Sequence, residues 1–79
     1  MGSTNPQTPT VTTEQLQALS DACQTAKQAI IDARREQQPY EHLAQLCDAY
    51  TAAMQRWYKA RFPGRRFTKP TTAYLLRAL

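Results

Sequence analysis

Residues 36–41 are Glu-Gln-Gln-Pro-Tyr-Glu, a stretch that separates two longer segments with a helical spacing of apolar residues. Pro39 disfavours helical geometry at the preceding residue, Gln38, but is well suited to the first position of a following helix. The connection between the two helices is therefore very short, and short connections join antiparallel neighbours. The sequence predicts a helical hairpin formed by residues 12–38 and 39–62.

Apolar residues form a stripe on each predicted helix, at spacings of three and four residues. In the first helix these are Leu16, Leu19, Cys23, Ala26, Ile30 and Ala33, and in the second they are Tyr40, Leu43, Cys47, Tyr50, Met54 and Trp57. If the chain reverses at the connection, Ala26 lies opposite Tyr50 and Cys47 lies near Ile30. Small residues of the first helix then meet large residues of the second, as interdigitated packing requires.

The ends of the hairpin also carry sequence signals. Thr12 as N-cap, with Gln15 three residues later, forms a capping box that starts the first helix. Residues 1–11 contain two prolines among polar residues and have no apolar period, so we expect a flexible tail there. At the other end, a Pro-Gly pair directly after Phe62 stops the second helix.

A third, short helix is predicted for residues 69–79. Thr68 can cap this helix, and Pro70 is tolerated in its first turn. One side of the third helix would cover the surplus apolar surface of the second helix. This side carries Thr72, Leu75, Leu76 and Leu79. The predicted fold is therefore all-α, an antiparallel helical hairpin plus a short third helix, in one small domain of residues 12–79.

The composition limits the class of protein. A chain of 79 residues holds one small domain, and 42% hydrophobic residues are too many for a fully disordered chain. Apolar runs are only a few residues long, far below the ~18 that a membrane helix needs. No secretory signal is visible at the start, so we expect a cytoplasmic protein without a membrane partner.

Charge is divided unequally along the chain. Residues 1–48 contain three Lys or Arg against six Asp or Glu, whereas residues 49–79 contain seven Lys or Arg and no acid. A domain that only needs solubility mixes both signs over its surface. The division therefore indicates an anionic partner for the C-terminal part.

Residues 56–69 combine six cations with four aromatic residues. Cations neutralise phosphates and aromatic planes stack on bases, so this mixture is typical of a surface that binds nucleic acid, either DNA or RNA. We expect Trp57 and Tyr58 in the core and the cations facing water. The candidate nucleic-acid-binding residues are Arg56, Lys59, Arg65, Arg66, Lys69, Thr71, Tyr74 and Arg77.

The end of the sequence resembles a known DNA-binding arrangement. Residues 57–79 contain the end of a helix, a Pro-Gly turn and a short predicted helix, with Thr71, Tyr74 and Arg77 on or near the outer face of that helix. This order is similar to the end of a helix-turn-helix unit. The resemblance implies that the third helix would supply any sequence preference.

A second class of function fits the same sequence. A protein-interaction module, such as an adaptor or an inhibitor, could dock a helical face on an acidic partner protein. Two hairpins could also stack as a four-helix bundle, which would bury the excess apolar surface in a homodimer.

The cysteines and the single histidine indicate no catalytic or metal chemistry. In the antiparallel register, Cys47 lies about seven residues, or roughly 10 Å, from Cys23, which is too far for a disulfide. Both are therefore expected as buried free thiols, and with His42 they match no zinc-binding spacing. No phosphate-binding loop or nucleophile motif is present. We expect no enzymatic activity, no metal and no cofactor.

Overall fold

The computed structural model describes residues 11–79, which form three α-helices. Their bounds are α1, Thr13–Arg35; α2, Tyr40–Arg61; and α3, Thr72–Ala78. The predicted all-α fold is confirmed: α1 and α2 form an antiparallel hairpin, and α3 is a short helix packed on it. The predicted tail at residues 1–11 lies outside the described residues except for Val11.

The start of α1 is the predicted capping box. The Thr12 hydroxyl oxygen accepts a hydrogen bond from the Gln15 backbone N–H at 3.0 Å, and the Thr12 N–H donates to the Gln15 side-chain oxygen at 2.9 Å. Two of the backbone groups that a helix start leaves without partners are thereby satisfied reciprocally. The start of α1 that the sequence predicts is therefore confirmed.

The turn at the closed end of the hairpin differs in detail from the prediction. Helix α1 ends at Arg35 and not near residue 38, because Gln37 adopts the left-handed conformation with φ of 58°. The Gln37 N–H bonds to the Arg34 carbonyl and the Gln38 N–H to the Ala33 carbonyl, both at 3.0 Å. This is the Schellman pattern, which satisfies the last carbonyls of a helix.

Pro39 starts the second helix as its N-cap and not as its first helical residue. Its backbone is extended, with φ of −63° and ψ of 153°, and its carbonyl accepts from the N–H groups of His42 and Leu43. Only Pro39 separates the Schellman turn, which ends at Gln38, from the first residue of α2. The short connection fixes the two helices side by side.

The core lies at the closed end of the hairpin. Ile30 of α1, Cys47 of α2 and Leu75 of α3 pack together and are 0%, 1% and 4% exposed. The half-buried residues that pack against them are Leu46, Tyr50, Met54, Leu76 and Leu79. The predicted proximity of Ile30 and Cys47 and the predicted role of α3 as a cover are both confirmed.

The start of the third helix was predicted wrongly. Thr71, and not Thr68, is the N-cap: its hydroxyl oxygen accepts from the Tyr74 N–H at 3.0 Å. A helix that started at residue 69 would need helical geometry at Lys69, which Pro70 disfavours by steric contact. The chain therefore stays irregular up to Thr71, and α3 is shorter than predicted.

The half of the hairpin away from the turn, here called the open end, is packed less completely. Along α1, Leu16, Leu19 and Cys23 are half-buried, and Trp57 of α2 is half-buried as well. Because α3 covers only the closed end, these side chains keep part of their apolar surface in water. None of the three helices in residues 11–79 is both long and apolar enough to cross a membrane.

Candidate nucleic-acid interface

The basic segment, residues 56–69, comprises the last part of α2 and most of the connection to α3. Helix α2 ends at Arg61, and the backbone reverses through Pro63 and Gly64, which has a φ of +87° that favours glycine. The Arg65 N–H bonds to the Phe62 carbonyl at 3.2 Å and closes this turn. The chain then returns along α2 toward the closed end, where Leu75 is buried.

All eight predicted site residues are exposed. This holds for Arg56, Lys59, Arg65, Arg66, Lys69, Thr71, Tyr74 and Arg77. Arg61, which the prediction did not include, is exposed as well. The seven Lys and Arg residues after position 48 therefore all have their charged groups available to a partner.

Four aromatic rings form a continuous cluster at the open end, which we call the aromatic cluster. The Phe62 ring contacts Trp57 edge-on, with centroids 5.9 Å apart, and Tyr58 at 5.1 Å. Tyr58 also contacts Phe67, at 5.6 Å. All four residues are half-buried, so the expectation that Trp57 and Tyr58 are core residues was wrong. These residues keep part of their surface exposed because α3 packs only at the closed end.

Two arginines lie over the same ring of this cluster. The guanidinium carbon of Arg61 is 4.9 Å from the centroid of the Phe62 ring, and that of Arg65 is 5.6 Å from it. Both distances fall within the range of cation–π attraction. Neither Arg61 nor the role of Phe62 was predicted from the sequence. The signal that could have indicated them is the order Arg61, Phe62, a Pro-Gly turn and then Arg65, three residues after Phe62.

The carboxylates of α1 do not neutralise the basic segment. Asp21 accepts a hydrogen bond from Gln17, and Asp32 accepts one from Gln28, both at 2.9 Å within α1. Within residues 11–79, the single ion pair under 4.0 Å joins Asp32 to Arg35, also on α1. Asp21 and Asp32 therefore find their partners within α1, and the cations of the basic segment have no described carboxylate partner within 4.0 Å.

One carboxylate of α2 lies near the basic segment. Asp48, Gln55 and Lys69 line a cleft between the outer side of α2 and the chain that leads into α3. No ion pair under 4.0 Å forms between these described residues. Asp48 therefore lowers the positive potential around Lys69 without binding it.

The predicted site residues on α3 lie far from the aromatic cluster. Leu75 of α3 packs beside Cys47, and fifteen residues of α2, or roughly 22 Å at 1.5 Å per residue, separate Cys47 from Phe62. Tyr74, which is 58% exposed, and Arg77 border a shallow depression on α3. The Thr71 hydroxyl is engaged as the N-cap. The candidate residues thus spread along the length of α2 and do not converge on one point.

The connection between α2 and α3 is long for a helix-turn-helix unit. Residues 62–71 separate the two helices, whereas the turn in such units has about 3–4 residues. In addition, α3 has only seven residues. The geometry therefore differs from the resemblance noted in the sequence.

The cysteines are both free, as predicted. Cys47 is buried but Cys23 is only half-buried, since it lies in the less completely packed open half. Burial raises the pKa of both thiols. At Cys23 the positive charge of Arg56 opposes this rise in pKa. At Cys47 the negative charge of Asp48 adds to the rise and the positive charge of Arg34 opposes it. His42 is exposed, and no three His, Cys, Asp or Glu side chains of residues 11–79 group as metal ligands would.

We compared the chain with protein-family models, with curated proteins and with solved structures, and none of the three comparisons gave a match.

Proposed function

We propose that this protein binds nucleic acid through its C-terminal basic surface, mainly by contacts to phosphates. The residues proposed to make these contacts are Arg56, Lys59, Arg65, Arg66, Lys69 and Arg77. One observation supports the proposal most strongly: the seven exposed Lys and Arg residues after position 48 make no ion pair under 4.0 Å with any described carboxylate. An unneutralised surface of this kind attracts a polyanion and gains free energy from counterion release.

The extent of the surface suits a regular polyanion. The candidate residues extend beside roughly 22 Å of α2, from the level of Cys47 to Phe62, and this length corresponds to about six base-pair steps of 3.4 Å. A small molecule or a single phosphate would use only part of this length. Because phosphate contacts carry no sequence information, binding should be nearly independent of sequence, and any preference would come from Tyr74 and Arg77 on α3.

Binding of a fluorescein-labelled 12-base-pair DNA duplex, followed by fluorescence anisotropy across a salt series, tests the proposal. Six phosphate contacts predict a slope of about −5 for log K against log salt, equivalent to a roughly 10³-fold loss of affinity between 50 and 200 mM. A hairpin with a four-base-pair stem should bind more weakly than the 12-mer. Binding that does not change with salt, or no binding at 50 mM, would refute the proposed function.

A matched pair of variants locates the surface. The double variant Arg65→Ala with Arg66→Ala should lose affinity and reduce the slope by about 2. The double variant Lys27→Ala with Arg35→Ala removes the same charge from α1 and should bind like the wild type. Circular dichroism of both variants checks that the helices remain. Equal losses in the two variants would mean that only net charge matters, which contradicts a localised site.

A second candidate function is protein interaction through the open end of the hairpin. A groove lined by Ser20, Cys23, Gln24, Met54 and Trp57 runs between α1 and α2 where α3 does not reach. We propose a second copy of the chain as its occupant, because the open half of α1 carries Glu14 and Asp21 without a cation, whereas the open half of α2 carries only cations. A four-helix bundle could set these two halves of different copies side by side. Sedimentation at two protein concentrations tests this: a monomer at both excludes it. An acidic protein partner, the other occupant, should instead bind the monomer and lose affinity in the Arg65 and Arg66 double variant.

A further inference from the structure

We infer that Arg61 and Arg65, held on the Phe62 ring, form a clamp for the phosphodiester backbone and provide the anchoring contact of the proposed surface. This inference rests on the proposed function and goes beyond it. It assigns the strongest phosphate contact to this pair of arginines at the open end, instead of distributing the contacts evenly over all the cations.

The clamp is assembled by the turn after α2. Arg61 is the last residue of α2, and the reversal at Pro63 and Gly64, closed by the bond from the Arg65 N–H to the Phe62 carbonyl, brings Arg65 back over the same ring. The two guanidinium carbons lie 4.9 and 5.6 Å from one ring centroid. The two guanidinium carbons are therefore no more than about 10.5 Å apart, the sum of these distances, which is within reach of two consecutive phosphates of one strand.

Two like charges held at the same ring favour an anion beside them. Among the described residues, no carboxylate lies within 4.0 Å of either guanidinium. The Phe62 ring compensates part of the repulsion, because its face carries the negative end of the quadrupole. The remaining positive potential is unneutralised, and a phosphodiester oxygen is the acceptor that the guanidinium fork recognises best.

Stacking on the ring also preorganises the arginines. A guanidinium that lies over an aromatic face keeps its N–H donors at the edge of its plane, where they remain available for oxygen acceptors. Fixing the side chain beforehand reduces the entropy lost when a ligand binds. The Phe62 ring itself contacts Trp57 at 5.9 Å and Tyr58 at 5.1 Å, and these contacts restrict its position.

The test is to remove the ring without removing a charge. Phe62→Leu retains all seven cations and an apolar side chain, but it abolishes the cation–π contacts. We expect its affinity for the labelled 12-base-pair duplex at 100 mM salt to fall by about 2- to 5-fold, the range that a cation–π contact at an exposed site corresponds to. Phe67→Leu is the matched control: it removes a ring of the same cluster that carries no arginine, and its affinity should equal that of the wild type.

Two further measurements keep the outcome decisive. Phe62→Tyr retains a ring and should bind with wild-type affinity. If Phe62→Leu loses helical signal, this second variant separates loss of the clamp from loss of folding. In a double-mutant cycle, Arg65→Ala should weaken binding less in the Phe62→Leu background than in the wild type. If Phe62→Leu and Phe67→Leu both bind like the wild type while Arg65→Ala weakens binding, the clamp is refuted and the proposed function stands. If the wild-type protein shows no salt-dependent binding, both are refuted.

Discussion

The guanidinium of Arg34 in α1 donates a hydrogen bond to the backbone carbonyl oxygen of Leu79, at 2.6 Å. Leu79 follows the last residue of α3 and packs against the core of Ile30, Cys47 and Leu75. This contact therefore ties the end of α3 to α1, although α3 packs mainly on α2.

Arg34→Ala should destabilise the protein by about 0.5–1.5 kcal/mol, because it removes a charge-assisted hydrogen bond that joins residues 45 positions apart. The matched control is Arg35→Ala. Arg35 has an exposed ion pair with Asp32 at 3.8 Å, and such pairs contribute about 0–1 kcal/mol. Urea unfolding of both variants measures the difference. Equal free energies of unfolding for the two variants would show that the contact to Leu79 contributes nothing.

Thr71→Ala should cost about 1 kcal/mol, the usual value for removing an N-cap hydroxyl. The hydroxyl accepts from the Tyr74 N–H, and without it that N–H has only water as a partner. Thr68→Ala provides the comparison, since Thr68 is exposed and caps no helix. Hydrogen exchange of the Tyr74 amide should accelerate in the first variant only. Faster exchange after the Thr68 change would place the start of the helix earlier than Thr71.

Gln37→Gly should stabilise the protein by about 0.5–1 kcal/mol. Gln37 has a φ of 58°, a conformation that costs an L-residue energy and that glycine adopts freely. The gain is limited by the larger entropy of glycine in the unfolded chain. Gln38→Gly, one residue later, should destabilise instead, because Gln38 lacks a positive φ and its side chain bonds to Glu36 at 3.2 Å. Thermal unfolding of the two variants should therefore shift in opposite directions.

The hairpin could be predicted because local signals and packing agree. The capping box at Thr12, the proline at position 39 and the apolar stripes each indicate the same two helices, and the register that follows brings Ile30 to Cys47 as observed. When independent signals converge in this way, the prediction does not depend on any one of them.

The features that were predicted wrongly or missed depend on the local conformation of the backbone. Thr68 and Thr71 are both suitable N-caps, and only the steric effect of Pro70 on Lys69 decides between them. The end of α1 depends on the left-handed conformation of Gln37. Glycine usually marks such a position in a sequence, and here the residue is glutamine. The approach of Arg61 and Arg65 to Phe62 depends on the path of the chain through the turn, which residue spacing alone does not define.

Stability should decrease at alkaline pH. Burial raises the pKa of the Tyr50 hydroxyl above its ordinary value of 10.0, and the neighbouring Cys23 adds to the rise; burial also raises the pKa of Cys23 and Cys47 above 9.0. The folded state therefore holds these protons more tightly than the unfolded state. The resulting stability is fully present below about pH 9 and is lost as pH rises through the folded-state pKa values. Urea unfolding at pH 7.5, 9 and 10.5 measures this, and Tyr50→Phe should make the decrease shallower. An unchanged slope in that variant would assign the decrease to other groups.

Asp48→Asn should increase the affinity for the 12-base-pair duplex by about twofold. Asp48 lines the same cleft as Lys69, and its charge repels a phosphate there by an amount typical of exposed groups, about 0.4 kcal/mol. The steepness of the salt dependence should also increase slightly, because Lys69 becomes a better phosphate contact. Asp32→Asn makes the same change in net charge on α1, where the carboxylate contacts Gln28 and Arg35, and it should leave affinity unchanged. A gain of similar size in both variants would indicate a general effect of net charge and would argue against a phosphate contact at Lys69.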